Sequence, residues 1–163
     1  MIWKRKLLLL AGVMGCSLLM SGCSVSQLPS YEAVKADVNA SMQEVVDLLP
    51  EGTQVSLRPE STPYPCEDKL SLGSGKGVFY TGQLEATLPP TADASHVVDD
   101  LPARLGEQWK ASKTGVALSS SAVILTDTKR QVQLNVMDVS NAYGGTSVID
   151  ITGISRCATS PTN

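Results

Sequence analysis

The sequence predicts an α+β fold: a single antiparallel sheet of about five strands, two helices packed on one face, and one disulfide. Three observations carry this reading. Two segments place apolar residues at helical spacing, and five others alternate in the manner of half-buried strands. The order is helix, strand, strand, helix, three strands, which lets both helices cover one face of a single sheet. An apolar share of 42% against 18% charged residues is the composition of a packed domain, not of a disordered chain.

The first helix starts at Tyr31, with Ser30 as its N-cap. Tyr31, Val34, Val38, Met42, Val45 and Leu49 recur every three or four residues and form one apolar stripe, read as a core face. Pro50 and Gly52 end it. Gln54 to Arg58 alternates as a short strand. The run from Pro59 to Asp68 carries Pro59, Pro63 and Pro65, whose fixed φ angles stiffen it into a loop. Pro63, Tyr64 and Pro65 are its candidate recognition residues. Val78 to Leu88 reads as a strand with Val78, Tyr80, Leu84, Ala86 and Leu88 on one face, stopped by Pro89 and Pro90.

A second helix capped by Asp93 or Thr91 is expected to run through Ser112, with Val97, Val98, Leu101, Leu105 and Trp109 as its stripe. Pro102 lies inside that stripe and should kink the helix or shift its start. Three strands follow at 116–126, 131–139 and 146–155. The turns at Asp127–Arg130 and Ser140–Gly145 are short enough for a meander.

The first 23 residues carry an address. Lys4, Arg5 and Lys6 precede an apolar run from Leu7 to Met20, the basic and apolar regions of a secretory signal. The run is short of the roughly 20 apolar residues that span a bilayer. It ends in Leu19-Met20-Ser21-Gly22-Cys23. Cleavage before Cys23 would remove residues 1–22 and three cations from a chain whose net charge is already −3. The remainder is still long enough to bury one core. Its acidic balance argues against nucleic acid, which is bound through clustered Lys and Arg. Residues 23–29 then read as a tether, 30–157 as the globular domain and 158–163 as a tail. Two alternatives for the leader are a second box ending at Cys16 and an uncleaved anchor. Both keep the chain at the membrane.

Cys66 and Cys157 lie outside the leader. An even pair in an exported domain reads as a disulfide. A closed loop of roughly 90 residues is worth about 4–5 kcal/mol in the chain-entropy model. A redox couple would favour the close C-x-x-C spacing, which the sequence lacks.

The Met20-Ser21-Gly22-Cys23 box resembles the bacterial lipobox. In that pattern an aliphatic residue and two small residues precede a cysteine that receives a diacylglyceryl group. Met20 stands where leucine is usual. With the Tyr31 helix, the wide Cys66 and Cys157 spacing and the helix ending near Trp109, the chain is similar to small bacterial lipoproteins of unknown function, of the actinobacterial kind. The resemblance implies attachment through Cys23 to the outer leaflet of the cell membrane. Ser24 would permit outer-membrane sorting in a host that has such a membrane. It transfers no activity.

Motifs for chemistry are sparse. Gly73-Ser74-Gly75-Lys76-Gly77 lacks the first glycine and the Ser or Thr of a phosphate loop and reads as a turn. His96 is the single histidine, which rules out a multi-histidine metal site, and it reads as a polar helix residue. No Gly-x-Ser-x-Gly or Ser-x-x-Lys motif occurs. Asp138 and Asp150 lie in strand-like runs and could be imagined as a glycan-cleaving pair, but read as surface or turn acids. No enzyme, cofactor or metal is therefore expected. The expected role is a binding or scaffolding module of the cell envelope, with the membrane as one partner and an envelope protein as a possible second. A carrier of a lipid or small apolar ligand is the alternative, requiring a cavity of at least about 300 Å³ bordered by residues such as Val38, Met42, Val98 and Leu105. A cell-wall hydrolase is a weaker one. The anchor is checked by mass spectrometry of the mature N-terminus, which should begin with a diacylglyceryl Cys23. Cys23→Ala should release or stall the protein, and an unmodified terminus elsewhere would refute the assignment.

Overall fold

The computed structural model describes residues 28–66, 77–113 and 120–161. The leader, Cys23 and most of the 73–77 glycine run lie outside them. Helix α1 spans Tyr31–Val46, and the Ser30 hydroxyl accepts from the Ala33 N–H at 3.2 Å, the cap read from the sequence. Strand β1 (Gln54–Leu57) follows, then the short β2 (Tyr64–Pro65) and β3 (Val78–Phe79). Strand β4 (Thr81–Thr87) leads into helix α2 (Ala94–Arg104), capped by the Asp93 carboxylate accepting from the His96 N–H at 2.9 Å. Strands β5 (Trp109–Lys113), β6 (Ala122–Asp127), β7 (Val132–Asp138) and β8 (Val148–Ile154) complete the chain, with one 3-10 turn at Ser140–Tyr143 before β8.

The main sheet has six strands in the order β1-β4-β8-β7-β6-β5, every neighbour antiparallel. The last three strands form the expected meander. β2 and β3 make a separate two-stranded ribbon, so the expected count of about five strands is too low. The difference arises in two places. Tyr64 and Pro65, read as plain loop, pair with Phe79 and Val78. The second helix also stops at Arg104 rather than Ser112. Pro102 sits in its last turn, where it has no N–H to donate. Leu105 is already extended, and the Trp109 N–H closes a turn onto the Gly106 carbonyl at 3.0 Å. Residues 109–113 then bond to β6 as an edge strand. Trp109 still packs against the core, but from a strand.

One core joins both helices to the same face of the sheet. Val34, Val38, Met42 and Val45 of α1 meet Leu84, Ala86, Leu134, Val136, Ile149 and Ile151, and Val98 and Leu101 of α2 extend the layer over Leu125 and Val123. A smaller cluster of Cys66, Phe79, Ile154 and Cys157 lies under the ribbon. Cys66 and Cys157 are disulfide-bonded with their Cα atoms 6.0 Å apart. Ala158 and Thr159, expected in the tail, are held. Ala158 is buried and bridges Val78, and the Thr159 N–H donates to the Pro29 carbonyl at 2.9 Å.

The seat of α1 is set by two glycines paired across β4 and β8, Gly82 and Gly153. A Cβ on Gly153 would lie 2.6 Å from Val38 Cγ1, and one on Gly82 would lie 2.9 Å from Met42 Cε. The missing side chains form a notch that two helix side chains occupy. Val38 is stiff at χ1 and wedged between backbone layers, so Gly153→Ala should destabilise the domain by about 1–3 kcal/mol, as overpacking does in filled cores. Gly82→Ala should cost less, because the end of a methionine moves easily. Urea denaturation of the two variants checks both the sign and the order.

Candidate functional site

Because α1 is centred over β4 and β8, no helix among the described residues lies above edge strand β1. Val55 and Leu57 point to the helix side of the sheet yet are 43% and 73% exposed. Between Leu57 and α1 lies a cleft of about 400 Å³. Leu57, Tyr80 and Leu84 contribute its apolar surface, Lys35, Asn39, Met42 and Gln43 border it from α1, and Arg58, Pro59 and Glu60 border it beyond β1. The strand edge is open as well. The Arg58 N–H donates to the Gln83 carbonyl at 3.0 Å. Alternation along an antiparallel pair therefore turns the amides and carbonyls of Val55 and Leu57 away from β4. Among the described residues no backbone group pairs with them.

One end of the cleft is closed by a polar cluster. Lys35 pairs with Glu60, and its ammonium lies 5.7 Å from the Tyr80 ring centroid. Tyr31 meets Tyr80 edge to face at 5.9 Å and donates its hydroxyl to Glu60 at 3.2 Å. Burial, with the Glu60 hydrogen bond behind it, pushes the Tyr31 hydroxyl up to about 12, so it stays a donor. The Lys35 hydrogen bond holds the Glu60 carboxyl below its ordinary value despite partial desolvation. On the opposite face of the sheet, Arg58 and Tyr143 both bond to Glu85, tying the end of β1 across β4.

A second polar centre lies where α1 meets the β6–β7 turn. Asp127 is fully buried. It accepts from the Ser41 hydroxyl at 3.0 Å, from the backbone N–H groups of Lys129 and Arg130, and from Arg130 Nη1 at 2.7 Å. Arg130 also donates to Glu44 at 2.8 Å, and Glu44 accepts from the Trp109 indole N–H at 3.1 Å. Each member is held by another part of the fold, so the centre reads as a clamp.

The residues singled out from the sequence fall in different places. Tyr64 stacks on Phe79 at 5.5 Å and is 45% exposed, next to half-buried Pro63 and to Pro65, both outside the cleft. His96 is exposed on α2. Asp138 accepts from Ser95 and Ser140, and Asp150 from Gln83 and Thr152. The two acids serve different local networks. Of the residues expected around a carrier cavity, Met42 alone borders this cleft. Val98 borders a smaller one beside α2, and Val38 is sealed in the core. Among the described residues no group of three His, Cys, Asp or Glu side chains is placed to hold a metal ion. No protein-family model, curated protein or solved structure matches the chain.

Sequence reasoning missed the cleft, and it read Asp127 only as the start of a turn. Pro59, two residues after β1 ends at Leu57, was a signal for an edge, since Pro cannot extend a central ladder. Asp127, two residues before Lys129, had the Asx-turn spacing. Burial disfavours the ionised Asp127, but the bonds from Arg130, Ser41 and Lys129 outweigh it and hold its carboxyl below its ordinary value. A depressed pKa means that this stabilisation is full above the unfolded-state pKa and lost as pH falls through the folded one. Asp127→Ala should cost about 2–3 kcal/mol at neutral pH, less than a fully buried pair because Arg130 keeps some solvent and Glu44. Acid titration of stability should show the gap between native protein and variant closing below about pH 4.

Proposed function

We propose that the protein is an extracytoplasmic lipoprotein, held at the membrane by a lipid on Cys23, and that it acts there as a non-catalytic binding module of the cell envelope. The basic and apolar leader with its Met20-Ser21-Gly22-Cys23 box supports the anchor. The Cys66–Cys157 disulfide fits an oxidising compartment. The observation that carries the binding role is the coincidence of an unpaired strand edge with an adjoining cleft. An extended polypeptide laid against β1 would take hydrogen bonds from the Val55 and Leu57 backbone and place alternate side chains over Leu57 and into the space beside Met42. The mixed polar border suits such a segment better than a wholly apolar ligand.

The carrier reading draws support from the same cleft, whose volume falls within the range of small-molecule sites. One experiment separates the two. A photoreactive phenylalanine analogue replaces Leu57 in the native host, with the same analogue at exposed Ala103 of α2 as control. A polypeptide adduct from position 57 and none from 103 is the expected result. Recovery of a lipid adduct alone would favour the carrier, and equal labelling at both positions would overturn the cleft as the binding site.

A further inference from the structure

We infer that the end of the domain carrying the disulfide faces the bilayer, with Leu28 and Tyr64 as its contact residues and the lipid headgroup region as their partner. The inference rests on the anchor at Cys23 proposed above and adds to it which surface meets the membrane. Its starting point is covalent. Five residue steps separate Cys23 from Leu28, so their Cα atoms are at most about 17 Å apart even when the chain is fully extended. A bilayer's interfacial layer is itself several ångströms deep. Whatever surrounds Leu28 is therefore confined close to the lipid.

The place where that short tether joins the domain is fixed. The Thr159 N–H holds the Pro29 carbonyl at 2.9 Å. Leu28 packs against Gly77, at φ +123°, which also lies tight against Ala158. The Gly77 carbonyl in turn accepts from the Cys66 N–H at 3.0 Å, one residue beyond the β2–β3 pairing of Pro65 with Val78. Leu28, the ribbon and the disulfide are thus one contiguous end, stapled so that it cannot swing away from the tether. Among the described residues its exposed large hydrophobic side chains are Leu28, 38% exposed, and Tyr64, 45% exposed and stacked flat on Phe79. An aliphatic side chain beside a rigid tyrosine is the pairing that settles at a membrane interface, apolar body inward and hydroxyl in the headgroups. The chain is acidic, so attraction to anionic lipid is not the driving term, and zwitterionic lipid should serve equally.

Tyr143 provides an internal control. It is also exposed, at 40%, but belongs to the turn that precedes β8, whereas the disulfide follows the other end of β8. A strand of that length separates the two regions by about 20 Å. The test uses the full lipidated protein in phosphatidylcholine vesicles, with the Cys23→Ala protein mixed with the same vesicles as reference. Hydroxyl-radical labelling of both tyrosines is read by mass spectrometry. Anchoring should lower the labelling of Tyr64 about three-fold or more, since an interfacial aromatic loses bulk water, and leave Tyr143 unchanged. Inserting about ten Gly and Ser residues after Ser26, a flexible coil, should return Tyr64 to the reference rate. If the lipid is present by intact mass but Tyr64 is protected no more than Tyr143, the orientation is overturned and the anchor stands. If the mature protein carries no lipid on Cys23, both fall. Protection that survives the insertion would refute the tether as its cause.

Discussion

The close seat of α1 on the Gly82–Gly153 pair governs the rest of the architecture. Two adjacent strands lack side chains at the same level, and Val38 and Met42 fill the space. A helix that approaches the sheet this closely can cover only the strands beneath it. Centring it on β4 and β8 brings Val34, Val38 and Val45 to full burial and leaves room for α2 over β6 and β7. The same placement strips β1 of cover. The cleft is thus the remainder of a two-helix layer laid over a six-stranded sheet, and it exists because the tightest packing lies one strand inward.

Polar contacts then stop α1 from sliding along that seat. Near its start, Tyr31 and Lys35 are tied to Glu60. Further along, Ser41 and Glu44 reach Asp127 and Arg130 in the β6–β7 turn. Asp37 between them pairs with Arg156 at 3.2 Å. Among the described residues every buried side-chain nitrogen or oxygen has a hydrogen-bond partner. Exposed ion pairs of this kind add little individually. Asp127 is different, because its burial makes each of its donors necessary, and it therefore fixes where the turn meets the helix.

Much of this was legible in the sequence wherever a local rule and the tertiary outcome agree. The α1 stripe, its Ser30 cap, the Asp93 cap, the meander and the cysteine pair all follow from spacing or parity. The end of α2 was not legible, because Trp109 continues the apolar stripe at helical spacing while its backbone bonds to β6. Tertiary pairing decided against periodicity there. The cleft could not be read at all from β1, whose alternation of Val55 and Leu57 is that of any half-buried strand. Their exposure depends on strand order and on where a helix lands, and both are set by residues far along the chain.

The bond between Pro29 and Thr159 means that the chain enters and leaves the domain at one point. A fold with coincident entry and exit behaves as a cassette. It could be spliced into a surface loop of another protein without separating the loop's two stems. It could also be circularly permuted by joining those ends and opening the chain elsewhere, for instance in the exposed Gly144–Gly145 turn. The disulfide, which bridges residues early and late in the present order, would in such a permutant close a different loop while still joining the same two points in space.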